Sequence, residues 1–405
     1  MLVETVAFAL SLSFGIGQVF DEIEPSASVD LRAESRVRPA GHVDSDALVA
    51  GEIEVVAGAT AGLNPGPVAL ALRYSPAITF TSYDPLSEPL LLHQAMARAY
   101  MELGGRWRLF GAHMRQHGER NFTAALTHEE EGGRRLRLEF LPDVERLPIR
   151  SHYSTFGLSR ASGRWSEYRF LGGYSSFGGR GEAARRRLPK QSGPRIGAEA
   201  DLGFSGRDAL LIRARGSRTE LEPGPTFLIG ELESGWRHQL KRRTEVSGLV
   251  GLFGGYNEEP LGSELRSVLL PILRGELIHT YARAGRHAEL EIAFLARPWI
   301  NQLEATLDPR VSIETGVEWS LGELLNGRLD MGQAWVLDES FLLDGRIFAM
   351  GKTLSLPLNA FLDLEGGMRL FRQRVRYGVG WWGPSQWRWD LFLALSVQSD
   401  LWGAR

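Results

Sequence analysis

Two histidines, His113 and His117, flank Met114-Arg115-Gln116, and imidazoles at that spacing on a helix can share one zinc ion. A zinc peptidase of that kind also needs a glutamate straight after the first histidine, where this chain carries Met114. The surrounding residues read as strand, which places both histidines on one side of it. They are therefore read as lumen or loop histidines, and no metal site is expected. His93, with Ser82 and Asp84 upstream, could serve hydrolysis, yet no spacing joins a nucleophile, a base and an orienting group. A glycine-rich phosphate loop ending in Lys-Ser or Lys-Thr is lacking. The absence of cysteine excludes disulfides, thiolate metal sites and cysteine nucleophiles. No catalytic residue and no cofactor is expected.

Two charge runs stand apart. Arg185-Arg186-Arg187 with Lys190 is too basic to cross a bilayer and is expected in a long exposed loop, where it could attract lipopolysaccharide. Glu129-Glu130-Glu131 is read as an exposed acidic loop without the spacing of a calcium site. The formal net charge of -3 leaves no footprint for nucleic acid.

More informative are charges set singly within alternating segments. Arg32, Glu34, Arg36, Glu199, Asp201, Arg213, Arg215, Glu231, Glu233 and Arg274 belong to this set. So do Glu276, Glu289, Glu291, Glu314, Glu318, Asp363, Glu365, Arg369, Arg388 and Asp390. Each sits between apolar neighbours, as a water-facing position does in a wall whose other face meets lipid. An arginine or lysine on the lipid side would cost roughly 2–4 kcal/mol at midplane. All twenty are therefore expected to line a lumen. Both signs occur, so they can pair across strands or border a wet path.

The elements that must carry them are strands. Trp387, Trp389, Leu391, Leu393, Leu395 and Val397 alternate with Arg388, Asp390, Phe392, Ala394, Ser396 and Gln398. Similar alternation marks Val29 to Arg38, Ile196 to Phe204, Ala288 to Leu295, Val311 to Trp319 and Leu358 to Leu370. A helix would scatter both sets around its circumference. Segments of roughly 9–11 residues suit a tilted crossing of the hydrocarbon. No apolar run of about 18 residues offers a helical span. An open edge in lipid would strand backbone donors and acceptors, so the sheet must close. The expected fold is all-β: a closed antiparallel transmembrane β-barrel of about 18 strands, within a range of 16–20, over residues 26–405. Residues 1–25, with the apolar run Val6 to Phe14, are expected to be a signal-like or periplasmic segment. Tight turns are expected at Gly104-Gly105, Gly132-Gly133 and Gly206-Arg207-Asp208, and loops at 256–269, 297–309 and 321–330. Tyr74, Trp107, Tyr168, Trp236 and other aromatics near strand ends suit the headgroup boundary.

Leu70-Ala71-Leu72-Arg73-Tyr74-Ser75-Pro76, followed by Ser82-Tyr83-Asp84-Pro85, His93 and Tyr100-Met101-Glu102-Leu103, resembles a segment of Gram-negative outer-membrane barrels associated with exopolysaccharide secretion. The resemblance covers roughly 40 residues. It implies an outer-membrane location, a polysaccharide cargo and a periplasmic export partner. Many outer-membrane barrels end their last strand on a terminal aromatic, whereas here Trp402 is followed by Gly403-Ala404-Arg405. The function expected is a channel or export barrel embedded in lipid and lipopolysaccharide. A structural barrel anchoring an envelope complex is the second reading, and an outer-membrane lipase the third.

Overall fold

The computed structural model describes residues 26–39, 49–64, 66–81, 88–121, 127–130, 133–136, 146–163, 166–258, 267–283, 286–301, 306–322, 324–337, 343–375 and 387–403. The first strands are β1 (Ser26–Pro39), β2 (Val49–Leu63), β3 (Val68–Tyr74), β4 (Ala77–Thr81), β5 (Leu90–Gly104) and β6 (Trp107–Arg120). A small hairpin follows, β7 (Thr127–Glu130) and β8 (Gly133–Leu136), then β9 (Leu147–Ser162) and β10 (Ser166–Gly179). A short helix, α1 (Glu182–Arg187), leads to β11 (Lys190–Gly203), β12 (Asp208–Glu222), β13 (Thr226–Lys241), β14 (Thr244–Asn257), β15 (Ser267–Arg283) and β16 (Arg286–Asn301). The chain continues through β17 (Thr306–Leu321), β18 (Leu325–Leu337), β19 (Leu343–Asn359), β20 (Leu362–Val375) and β21 (Trp387–Gly403).

Nineteen of these strands form one antiparallel sheet, and β7–β8 stand apart as a pair. β3 and β4 share one stave, because each pairs β2 on one side and β5 on the other. Pro76, which has no N–H to give, falls at their break. The ladder is carried across it by Ser75 N donating to Gln94 O at 2.8 Å and Ala57 N donating to Pro76 O at 3.0 Å. β21 pairs β1 from Ser26↔Gly403 to Val37↔Leu391. The described residues thus make a closed wall of 18 staves with no free edge.

The alternation read from the sequence sorts side chains between the two faces. On β21, Leu391, Leu393 and Leu395 are exposed at 49%, 56% and 42%, whereas Asp390, Phe392 and Ala394 are buried. On the concave side neighbouring chains converge and cover one another; on the convex side they splay. The exposed apolar set continues around the barrel through Leu31, Ile53, Leu72, Phe156, Ile196, Leu232, Leu252 and Leu269. In water so extensive an apolar surface would drive association; in a bilayer it meets a solvent of its own kind.

Apart from the halves β3 and β4, the wall strands run 13–17 residues, longer than the 9–11 expected. Hydrophobic thickness limits only the apolar band; pairing with a neighbour keeps the strand going beyond it. For the same reason 297–301 and 325–330 are strand rather than loop, and β21 continues through Trp402, which pairs Ala27. The basic stretch expected to be a long loop is a compact connection built on α1, with Ala184 and Leu188 buried. At the β5–β6 turn Gly104, Gly105 and Arg106 all have positive φ, of 77°, 57° and 68°, where glycine carries no Cβ penalty.

Connections differ between the two ends. Those at 64–67, 105–106, 163–165, 204–207, 242–243, 284–285, 322–324 and 360–361 are short, and both ends of the wall lie on that side. The opposite end carries the longer ones, at 40–48, 82–89, 121–146, 258–266 and 376–386. By the general rule for such barrels, short turns face the periplasm and long loops the exterior.

Candidate functional site: the inner wall

Followed stave by stave, the strand register places all twenty singled-out charges on one face of the wall. Glu199 stands opposite Arg213, which stands opposite Glu233. Leu249 of the same face stands opposite Arg274. Arg369 faces Asp390, Glu365 faces Ala394, and Ala394 faces Glu34. That face is the concave one, to judge by burial: Glu34, Glu199, Asp201, Arg213, Glu231, Glu233, Arg274, Glu365 and Asp390 are all buried. Arg32, Arg36, Arg215, Glu276, Glu289, Glu291, Glu314, Arg369 and Arg388 are half-buried on it. Glu318 and Asp363 are exposed, near strand ends at the short-turn side.

The charges gather into two mixed-sign networks. The first spans β1, β2, β20 and β21. Glu34 accepts from Arg32 at 2.9 Å, from Arg369 at 3.1 Å and from Arg36. Arg32 also reaches Glu365 at 2.9 Å, Arg36 reaches Glu54 at 3.0 Å, and Arg38 reaches Glu52 at 2.8 Å. Arg369 lies over the Phe392 ring, 3.9 Å from its centroid. The second network spans β10 to β16. Arg215 lies 3.0 Å from Glu199 and 3.5 Å from Glu233. Arg274 meets Glu233 at 3.3 Å, Arg297 meets Glu231 at 2.9 Å, and Arg169 meets Glu199 at 3.5 Å. In the ring of staves β1 lies opposite β13, so the two networks face each other across the barrel. Charges buried in this way must be paired, because an isolated one carries a desolvation penalty of several kcal/mol.

Several members escaped the sequence reading. Glu52, Glu54, Arg169 and Arg297 extend the ladders, and a stricter continuation of the period-two pattern would have found them; Arg38, already among the polar positions of the first alternating segment, joins them. Arg195 is a different case. It lies 4.0 Å above the Tyr153 ring and donates to Thr155 Oγ1 at 3.1 Å, while Thr155 donates to Tyr153 Oη at 2.6 Å. Among the described residues no carboxylate lies within 4.0 Å of it, so it presents a cation to the inside of the barrel. Counting back by twos from Glu199 reaches it, yet the bend signal of Gly193-Pro194 hides the strand there.

The inside also contains a bridge. The β7–β8 hairpin is inserted between β6 and β9, yet β8 comes within 8 Å, Cα to Cα, of β18 and β19. Those staves lie opposite β9 in the ring, so the hairpin backbone reaches across the lumen. Glu129 and Glu130, expected on an exposed loop, belong to its first strand. One apolar cluster unites the two walls near the long-loop end: Leu147, Ile149 and Phe177 on one side, Ala334, Ile347 and Phe371 on the other.

The residues first weighed for chemistry lie elsewhere. His93, His113 and His117 are on the convex face, for His113 and His117 opposite the expectation of lumen or loop positions, because Gln94, Met114 and Gln116 take the inner positions. His93 Nδ1 is 2.7 Å from Tyr74 Oη, and His113 Nδ1 is 2.8 Å from Ser154 Oγ. Ser82 and Asp84 lie outside the described residues, as do residues 1–25 and Gly132. Arg185 and Lys190 both bind Glu222, the latter at 3.2 Å, while Arg186 is exposed beside Glu182. Among the described residues no group of three or more His, Asp or Glu could hold a metal ion.

A closed wall of an even number of antiparallel staves, apolar outside and charged inside, defines the class: the chain is a transmembrane β-barrel of the Gram-negative outer membrane. No protein-family model and no curated protein matches it. Among solved structures it is similar to the outer membrane protein OpdK of Pseudomonas aeruginosa, at 12% identity and a TM-score of 0.46, over 92% of this chain and 99% of that one. OccK2 (OpdF) of the same organism, solved in complex with glucuronate, gives 14% and 0.48 over 93% and 98%. OccAB3 of Acinetobacter baumannii gives 10% and 0.47 over 93% and 99%. The assignment to the barrel class stands on the wall's own pairing and faces.

Proposed function

We propose that the protein is a channel for small polar solutes, passing them between two facing charge networks beneath the β7–β8 hairpin. The observation that carries this reading is the inner wall itself. Its charges are paired well enough to be tolerated, and Arg195 keeps a cation without a carboxylate partner among the described residues. A wall of paired charges offers a solute successive exchangeable hydrogen bonds at little net field. Arg195 adds a point at which an anionic group can dock.

The resemblance over Leu70 to Leu103 implies a secreted polysaccharide as cargo, with a periplasmic export partner. A hairpin reaching across the lumen favours a solute of small cross-section over a polymer, so a polysaccharide would need the hairpin withdrawn. A barrel serving only to anchor an envelope complex is favoured by the same salt-bridge networks, which stiffen a wall whether or not anything passes.

Conductance of the purified protein in planar bilayers separates these readings. The intact barrel should show small, discrete openings, and deletion of residues 127–136 should raise the single-channel conductance at least about twofold. A deletion variant that folds and stays silent would remove the channel reading and leave the anchor. If linear oligosaccharides block the deletion variant but not the intact barrel, the polymer reading requires hairpin movement.

A further inference from the structure

The convex face departs from its apolar character on β5, β6 and β9 toward the long-loop end, as it also does at Arg346, Lys352 and Arg372 on β19 and β20. On β6 and β9, Arg115 and Arg150 point outward, both exposed. The register sets Arg115 beside His152, His117 beside Arg150, and His93 beside His117. Arg180 donates to His117 Nε2 at 3.1 Å. Arg150, Lys190 and Arg115 are among the charges that act on His152. The nearby carboxylate of Glu119 is taken by Arg146 at 2.5 Å. Among the described residues neither Arg115 nor Arg150 has a carboxylate within 4.0 Å.

Depth matters to what such a patch can meet. Arg115 stands eight residues along β6 from Trp107. At about 3.3 Å per residue and a tilt near 40°, that is on the order of 20 Å along the barrel axis. The apolar band of such barrels is about 25 Å tall. With Trp107 at the periplasmic boundary, Arg115 lies just inside the outer one, and Arg150, paired to the next outward position, lies at headgroup level. Tyr74 and Tyr174 border the patch, the latter stacked on His152 at 5.3 Å. Tyrosine rings suit that depth.

We propose that this patch binds the phosphate of an anionic glycolipid of the outer leaflet, with Arg115 and Arg150 as phosphate ligands and the histidines as further donors. Acyl chains would lie over Ala95, Ala97 and Phe156 on the same face. Charge complementarity decides for this occupant: unpaired guanidiniums at the edge of hydrocarbon require an anion at the same height, and phosphate accepts their planar donors. The inference rests on the membrane reading and on long loops facing outward, but not on the channel reading.

The test uses the full chain in detergent micelles, with binding followed by native mass spectrometry. The probes are bisphosphorylated lipid A, its dephosphorylated analogue and inorganic phosphate. The intact protein should prefer the phosphorylated lipid by about tenfold or more, and inorganic phosphate should not compete at equal concentration. R115Q/R150Q should lose that preference, whereas R242Q/R243Q, with equal charge loss at the short-turn end, should keep it. Heat-modifiable migration on gels reports folding, and R150Q alone serves if the double variant does not fold. Three results would overturn the proposal: no preference for phosphate in the intact protein, an unchanged preference in the folded variants, or binding of inorganic phosphate as tight as that of the lipid. So would a dimer that the substitutions dissolve, since the face would then belong to a second copy. Conductance of R115Q/R150Q should match the intact barrel, so failure of the lipid site and of the channel are read separately.

Discussion

Glu34 illustrates how single residues hold the inner wall. Three guanidiniums converge on its buried carboxylate, and two of them are held in turn by Glu365 and Glu54. Glu34→Gln keeps the shape and removes the charge, leaving like charges facing one another out of bulk water. Breaking such a buried cluster from one side costs about 3–5 kcal/mol, so the urea midpoint of the folded barrel should fall clearly. Glu182→Gln, which disrupts an exposed pair with Arg186, should leave the midpoint nearly unchanged because solvent already screens that pair. Equal shifts in the two variants would mean that the inner network is as wet and loose as the surface. The twenty charges share one face of the wall because their spacing in the chain sets their facing. Which carboxylate joins which arginine was not legible, since partners such as Arg369 and Glu34 are separated by most of the chain.

At the scale of the strand, period two decides which solvent each side chain meets. Leu393 is exposed at 56% on the outer face of β21. Leu393→Arg should cost roughly 2–4 kcal/mol of membrane stability and lower the yield of heat-modifiable barrel in lipid vesicles, whereas Leu393→Phe should assemble normally. If both assemble alike, position 393 does not touch lipid. Aromatic side chains reinforce the outer face where glycine leaves it thin. The Phe156 ring lies over Gly172 of the neighbouring strand, and Trp319 lies over Gly327, each where a Cβ would collide. Strand identity and facing were readable wherever alternation was clean. The ends were not, because polar residues beyond the lipid carry no periodic signal although pairing continues. The histidines of β6 were misread for a related reason: a polar residue on a lipid-facing strand looks like an inner position until the register of its neighbours is known.

For the whole molecule, closure carries the stability argument. β1 touches β2 along one side and β21 along the other. A chain lacking residues 26–39 should leave two strand edges open in hydrocarbon, at several kcal/mol for each unpaired backbone group. It should therefore fail to give a heat-modifiable, protease-resistant barrel in vesicles. Recovery of that species would mean that β2 and β21 can close the ring without β1.

Local alternation along the sequence was enough to specify an all-β wall, its lipid side, its water side and roughly its number of staves, because a bilayer imposes one rule on every strand alike. Only the folded chain decided the pairing of charges between distant strands, the hairpin lying across the lumen, the isolation of Arg195 among Tyr153 and Thr155, and the cationic patch on the outer face. These depend on which residues meet across the ring, and closure brings together segments that no local pattern relates.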